Sequence, residues 1–448
     1  LDLAGFTLGT AEALSLAGTG TASSGALANS GGAATYSGLV TLGAAASIVS
    51  NGNIVLSNVG IITGPTFGLT LDGTATGSSI ASIIGTTSGT LTKQGAGTWT
   101  LSGTNTYTGA TTISNGGLTI QNSTALGTVA AGTSVASGAV LTVDGTAGPL
   151  TIGAEALTLN GAGLTGTPNG ALRNLAGTNS MAGAVTLGSA STIQSEAGSL
   201  SLTGGIDNGG FLLTVQGAAG SSIAGAAVSG AGGLTKSGTG TLELAATNTF
   251  TGATDVNAGT LLVNGALANG SVNVAIPATL GGSGTIGGAT TISGTHAAGN
   301  NGVGNQTFSS NLTYAAGSIF SWDLNAPAGN TVTGSNQGAY DTVAVTGAVT
   351  GQSVFKIVLG LNSFTDVFWD TAKSWDNIFT SGGGSNLSTI FTSFSGNGVA
   401  GDGVVLDRGQ FTFTPSSNTL QWSAVPEPSS ALAGLLIAAG LLRRRRVA

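Results

Sequence analysis

A thirty-residue segment occurs twice in this chain, and it limits the fold more than any other feature. Residues 91–120 read LTKQGAGTWTLSGTNTYTGATTISNGGLTI, and residues 234–263 read LTKSGTGTLELAATNTFTGATDVNAGTLLV. The offset is 143, and 16 of 30 positions are identical without a gap. Apolar positions that differ stay apolar: Trp99 with Leu242, Tyr107 with Phe250, Ile113 with Val256, Ile120 with Val263. Positions 99 and 101 share parity, as do 118 and 120, so each pair marks a strand with one buried face. A unit of thin strands cannot bury its own face and must stack on neighbours. The expected fold is all-β: a parallel β-helix, with roughly 20 residues per coil and the two copies in similar coils.

Composition agrees. Gly is 79 of 448 residues and charged residues are 6%, against a usual ~7% and ~25%. No Gly-x-y period runs through the chain, so collagen is excluded. At 41% hydrophobic, the chain is not a charge-driven disordered one. No long apolar run precedes Val425, which excludes a polytopic membrane protein. Asn-Gly pairs at Asn51, Asn115, Asn160, Asn169, Asn208, Asn264 and Asn269 supply tight turns. A pair of β-sandwiches would need larger core residues than 1–303 contain. The chain has 17 acidic and 10 basic residues, and four of the basic ones are Arg443, Arg444, Arg445 and Arg446. The remaining body is net acidic, so nucleic acid is excluded as a partner.

Three parts follow. Residues 1–303 hold 7 of the 23 aromatic residues and form the β-helix. Residues 304–424 hold the other 16 and read as an aromatic-rich β cap, covering the last coil so that its edge recruits no other chain. Within the cap a short helix is expected around residues 364–375, capped by Ser363. Residues 425–448 are the tail. The first residue is Leu1, so a processed or truncated N-terminus is expected, with any signal peptide upstream.

The strings at 91–98 and 105–111, with their copies from Leu234 and Asn248, resemble the autotransporter-associated β-strand repeat of bacterial surface proteins. Residues 281–288 and 340–347 look like segments that follow it in such proteins. The resemblance implies a right-handed parallel β-helix and export. Only 121 residues separate position 304 from the tail, too few for the roughly 250 to 300 residues of a membrane barrel, so no translocator of its own is expected.

The tail offers another route. Val425, Pro426, Glu427 and Pro428 precede an apolar stretch, 431–442, and the four arginines, Arg443 to Arg446. This order resembles the PEP-CTERM sorting signal. It implies recognition by an exosortase-type membrane enzyme, cleavage near the motif, and a link to exopolysaccharide in a Gram-negative bacterium. Nineteen residues from Pro428 to Arg446 make a helix of ~28 Å, a marginal span of a ~30 Å hydrocarbon core. The arginines would act as the stop signal, holding that end in the cytoplasm and the body outside.

Catalytic chemistry is sparse. There is one His, His296, and no Cys, so no metal or cofactor site is expected. His296 reads as a solvent-facing loop residue. Lys93 and Lys236 occupy equivalent repeat positions and read as an exposed stripe of the scaffold. In 1–303 the acids Asp2, Glu12, Asp72, Asp144, Glu155, Glu196, Asp207, Glu243 and Asp255 are isolated, without the paired carboxylates of glycoside hydrolysis. Asp366, Asp370 and Asp376 lie among Phe368, Trp369 and Trp375, and read as the wet rim of an aromatic core, the alternative being a sugar-binding surface on which ring faces stack. Gly401, Asp402, Gly403 and Asp407 hint at a calcium loop but lack the full repeat pattern. The expected function is a non-enzymatic, envelope-sorted structural or adhesive protein in extracellular polysaccharide. The alternatives are a polysaccharide lyase or glycosidase on a β-helix, and an autotransporter-type passenger.

Overall fold

The computed structural model describes residues 1–425 except 9, 168, 224–226, 269, 301, 361–362 and 383–386. It contains two compact units, 1–270 and 271–448. Both are β structures of short strands, and among the described residues the only helical elements are 3-10 turns such as Thr21–Ser23 and Val367–Asp370.

The first unit is a parallel β-helix. One ladder pairs Leu69 with Leu91, then Thr111, Thr133, Leu157 and Val185. Each partner lies one coil further along the chain, and the coils are of unequal length. A second ladder runs Ser78, Trp99, Leu118, Leu141, Leu172, Ile193, Val215, Lys236 and Val256. A third carries Ile152, Met181 and Leu202. The apolar members of these rows are buried. Each Leu, Ile or Val so stacked contributes about 1.5–3 kcal/mol relative to an exposed side chain. Alternation in Thr98–Leu101, with Trp99 and Leu101 inward, follows the strand period.

The two repeat copies share local structure but not the same face. Leu91 lies on a ladder that reaches Val185, at the start of the strand Val185–Ser195. Leu234 lies on a ladder that comes from Ser191, further along the same strand. The second copy is therefore turned one face around the helix. Val185–Ser195 has a counterpart in Val40–Ser50: VTLGSASTIQS against VTLGAAASIVS, 7 of 11 identical, with nearly the same burial pattern. Each of these strands bends across two faces without a break. Their offset is 145 rather than 143, so an ungapped comparison stops short of them.

The second unit keeps parallel pairing and then changes. Thr290–Ile292 pairs with Leu312–Asn325, which pairs with Val349–Leu359 and then Phe391–Gly396. Parallel strands thus continue across positions 303 and 304. The coils lengthen from Leu312 to Val349 and from Ser353 to Phe391, where larger rings fill the interior. Lys373–Asp376, Val404–Val405, Gly409–Thr414 and Thr419–Ala424 then form an antiparallel sheet. Trp322, Trp369, Trp375 and Trp422 are buried, with Trp369 and Trp422 edge to face at 5.2 Å.

The helix expected over 364–375 is absent. A single 3-10 turn, Val367–Asp370, is capped by Asp366, whose carboxylate accepts from the Phe368 N–H, not by Ser363. Adjacent Phe368 and Trp369 are both fully buried while Val367 is exposed. The chain instead turns there and leaves as the strand Lys373–Asp376, which takes up antiparallel pairing with Thr419–Ala424.

Candidate functional site

The sorting motif and stop signal fall outside the described residues, apart from Val425, which is exposed. This covers Pro426, Glu427, Pro428 and Arg443, Arg444, Arg445 and Arg446. Among the described residues no helix is long and apolar enough to cross a membrane.

Lys93 and Lys236 are not an exposed stripe. Both are buried. The Lys93 ammonium donates to the carbonyls of Gln94, Gly95 and Asn115 at 2.8, 2.8 and 3.0 Å. Lys236 repeats this on Ser237, Gly238 and Ala258 at 2.8, 2.8 and 3.1 Å. Three donors meet three acceptors, two on the lysine's own coil and one on the next. Burial brings both ammonium groups down to about 8, and for Lys93 the charge of Asp72 opposes that. The arrangement needs glycine beside it. Gly116 and Gly259 have φ of 66° and 67°. A Cβ on either would lie 2.3 Å from the carbonyl oxygen of Gly97 or Gly240.

Sequence reading passed over a second tie. Asn105 Oδ1 accepts from Ile84 N on the coil before, and Nδ2 donates to Ala125 O on the coil after. Asn248 does the same with Val228 N and Ala266 O. The signal was available, since Asn-Thr-aromatic-Thr-Gly-Ala-Thr stands in both copies.

His296 is not a solvent-facing loop residue. It is fully buried on the strand Thr295–Ala298. Nδ1 lies 2.6 Å from the Tyr314 hydroxyl and Nε2 lies 2.8 Å from Gln306 Oε1. Gln306 Oε1 can only accept, so Nε2 carries the proton and Nδ1 accepts from Tyr314. Burial pushes the imidazole down to about 4, against the Gln306 hydrogen bond. Nearby, Asp341 is buried and accepts from the Gly304 and Asp323 N–H groups at 2.7 and 2.8 Å. Burial raises it to about 8, and the neighbouring Asp323 charge adds to this. Burial raises Asp323 as well, while Lys356 lowers it. Sequence reading did not single out Asp341; its one cue is an acid between Tyr340 and the alternating run Thr342–Val345.

The remaining acids are dispersed. Arg173 and Glu196 form a two-pronged ion pair at 2.7 and 2.8 Å, and Arg408 pairs with Asp370. Asp402 caps its own turn by accepting from Val404 N. Among the described residues no three His, Asp or Glu side chains converge as a metal site would require. Phe368, Trp369 and Trp375 are fully buried, so none offers a ring face for stacking a sugar.

Residues 91–120 and 234–263 match the family model described as passenger-associated-transport-repeat. No curated protein matches the chain. Repeats of this description on a parallel β-helix fit an autotransporter-type passenger.

Proposed function

We propose that the chain is an exported, non-catalytic β-helix that serves as a structural or adhesive element of the cell surface, embedded in extracellular polysaccharide of a Gram-negative bacterium. The observation that carries this reading is the pair of passenger-associated repeats built into a parallel coil. The distinctive side chains support it too. Lys93, Lys236 and His296 spend their hydrogen bonds inside the fold, as scaffold residues do. On this reading the tail from Val425 is a transient address. Pro426 and Pro428 would keep the motif open to a processing enzyme, because proline fixes φ and lacks an amide donor. The stretch 431–442 inserts marginally, and the four arginines fix its direction, since each is costly at mid-bilayer. An exosortase-type enzyme would then cleave it.

Cell fractionation and mass spectrometry of the mature C-terminus test this. The mature protein should reach the surface lacking the arginines. Replacing Arg443, Arg444, Arg445 and Arg446 with Ser should mis-sort the chain while leaving the β-helix folded. Surface delivery in equal yield without the tail would sink the sorting reading. Turnover of a polysaccharide, abolished by one Asp or Glu substitution, would sink the non-catalytic one.

A further inference from the structure

The coils between the two repeat copies hold a buried carboxylate with no counter-ion among the described residues. Glu155 is 3% exposed. Thr133 Oγ1 donates to its Oε1 at 2.8 Å, but no cation pairs with it among the described residues. A buried carboxylate without a counter-ion is costly. It lies outside both repeat copies, so the repeat does not dictate it. Burial raises its carboxyl above the usual range, against the Thr133 bond.

Glu155 lines a surface cleft of about 410 Å³, inside the ~300–1,000 Å³ range of small-molecule sites. Thr106, Thr124 and Thr128 stand exposed around it, and Val129, 55% exposed, supplies an apolar patch. The cleft therefore combines one buried negative charge, a rim of hydroxyls and an apolar patch. A ligand that matches all three carries a cation, several hydroxyls and C–H faces.

We propose that this cleft binds an amino-sugar residue, its ammonium against Glu155 and its ring hydroxyls against the threonine rim. An ammonium supplies the missing counter-ion as a charge-assisted donor, and threonine hydroxyls both donate and accept. The sugar's C–H face covers Val129. The proposal rests on the surface-polysaccharide reading and names one chemical class within it.

Calorimetric titration of the full chain with three β-1,4-linked disaccharides tests it. They are the glucosamine disaccharide, its N-acetylated form and cellobiose, which differ at carbon 2. The glucosamine disaccharide should bind saturably, and the other two at least about tenfold more weakly. Glu155→Gln keeps an acceptor for Thr133 and removes the charge; it should lose that preference without a lower melting temperature. Thr128→Trp, at an exposed position, should fill the cleft and weaken the glucosamine disaccharide while Glu155 stays in place. Equal affinity for all three sugars, or an unchanged preference in Glu155→Gln, overturns the proposal. Ethylamine binding as tightly as the glucosamine disaccharide also overturns it, because the hydroxyl rim then contributes nothing. Failure here with surface delivery intact removes the amino-sugar site alone; failure of surface delivery removes the broader reading.

Discussion

At the scale of single residues, Lys93 and Lys236 show how a charged side chain can be an internal fastener. Lysine is rarely buried unless paired, and that habit favours an exposed reading. Parity pointed the other way. Positions 91 and 93 share a face, as do 234 and 236, and Leu91 and Leu234 are core residues. The inward direction of each lysine was thus legible, but its three carbonyl acceptors were not, because they come from two different coils. Lys93→Met and Lys236→Met should each lower stability by about 2–3 kcal/mol, the worth of charge-assisted bonds plus stranded carbonyls. The two sites are about six coils apart, or ~29 Å at the strand spacing. The double variant should therefore show the sum. Urea denaturation of the full chain measures this. Changes within about 0.5 kcal/mol, as expected of a surface site, would mean that the lysines do not fasten the coils.

At the scale of elements, the strands were legible and their arrangement around the axis was not. Alternation at Trp99 and Leu101 and at Leu118 and Ile120 reads directly as inward rows. The face that a coil occupies depends on residues accumulated over every coil before it. The step from Leu91 to Thr111 is shorter than the step from Leu157 to Val185, so that sum is unreadable from one repeat. His296 was misread for a related reason. Flanking glycines made 294–299 look like a loop, whereas Thr295–Ala298 alternates as a strand. The expected helix at 364–375 failed because apolar spacing alone does not separate a helix from a turn followed by a strand. The corners carry their own test. Gly116 and Gly259 combine left-handed φ with carbonyl oxygens 2.3 Å from any added Cβ. Gly116→Ala and Gly259→Ala should each cost at least about 2 kcal/mol, more than the strain of a left-handed residue alone. Gly18, with φ of 76° and open space around its Cβ position, should cost only the ~1–2 kcal/mol of that strain. Equal losses at all three positions in thermal denaturation would show that the close carbonyls have no effect.

At the scale of the whole molecule, two buried groups in the second unit give stability a pH profile whose sign can be worked out. His296 is held near 4 in the folded state against 6.5 when free. Between those values the unfolded chain binds the extra proton, so this group makes stability rise with pH and fall on acidification. Asp341 is raised to about 8 from 3.8. Between those values the folded chain binds the extra proton, so stability falls as pH rises. Each group contributes a slope of about 1.4 kcal/mol per pH unit inside its window. From about pH 4.5 to 6 the two slopes oppose and nearly cancel. From about pH 6.5 to 7 Asp341 is the one of these two groups that titrates, and stability should decline, until Lys93 and Lys236, held near 8 in the fold, begin to lose protons and oppose the decline. His296→Gln removes the rising limb, so stability should fall from about pH 4.5 to 7. Asp341→Asn removes the falling limb, leaving a rise up to about pH 6.5 and then a plateau to about pH 7. Urea titrations at successive pH values in a Trp99→Phe background, read by the fluorescence of Trp322, Trp369, Trp375 and Trp422, would resolve these shapes because all four rings are buried in this unit. If His296→Gln and the parent chain keep parallel profiles from pH 4.5 to 6, the imidazole is not held neutral by burial and its bonds to Tyr314 and Gln306 do not set the acid limb.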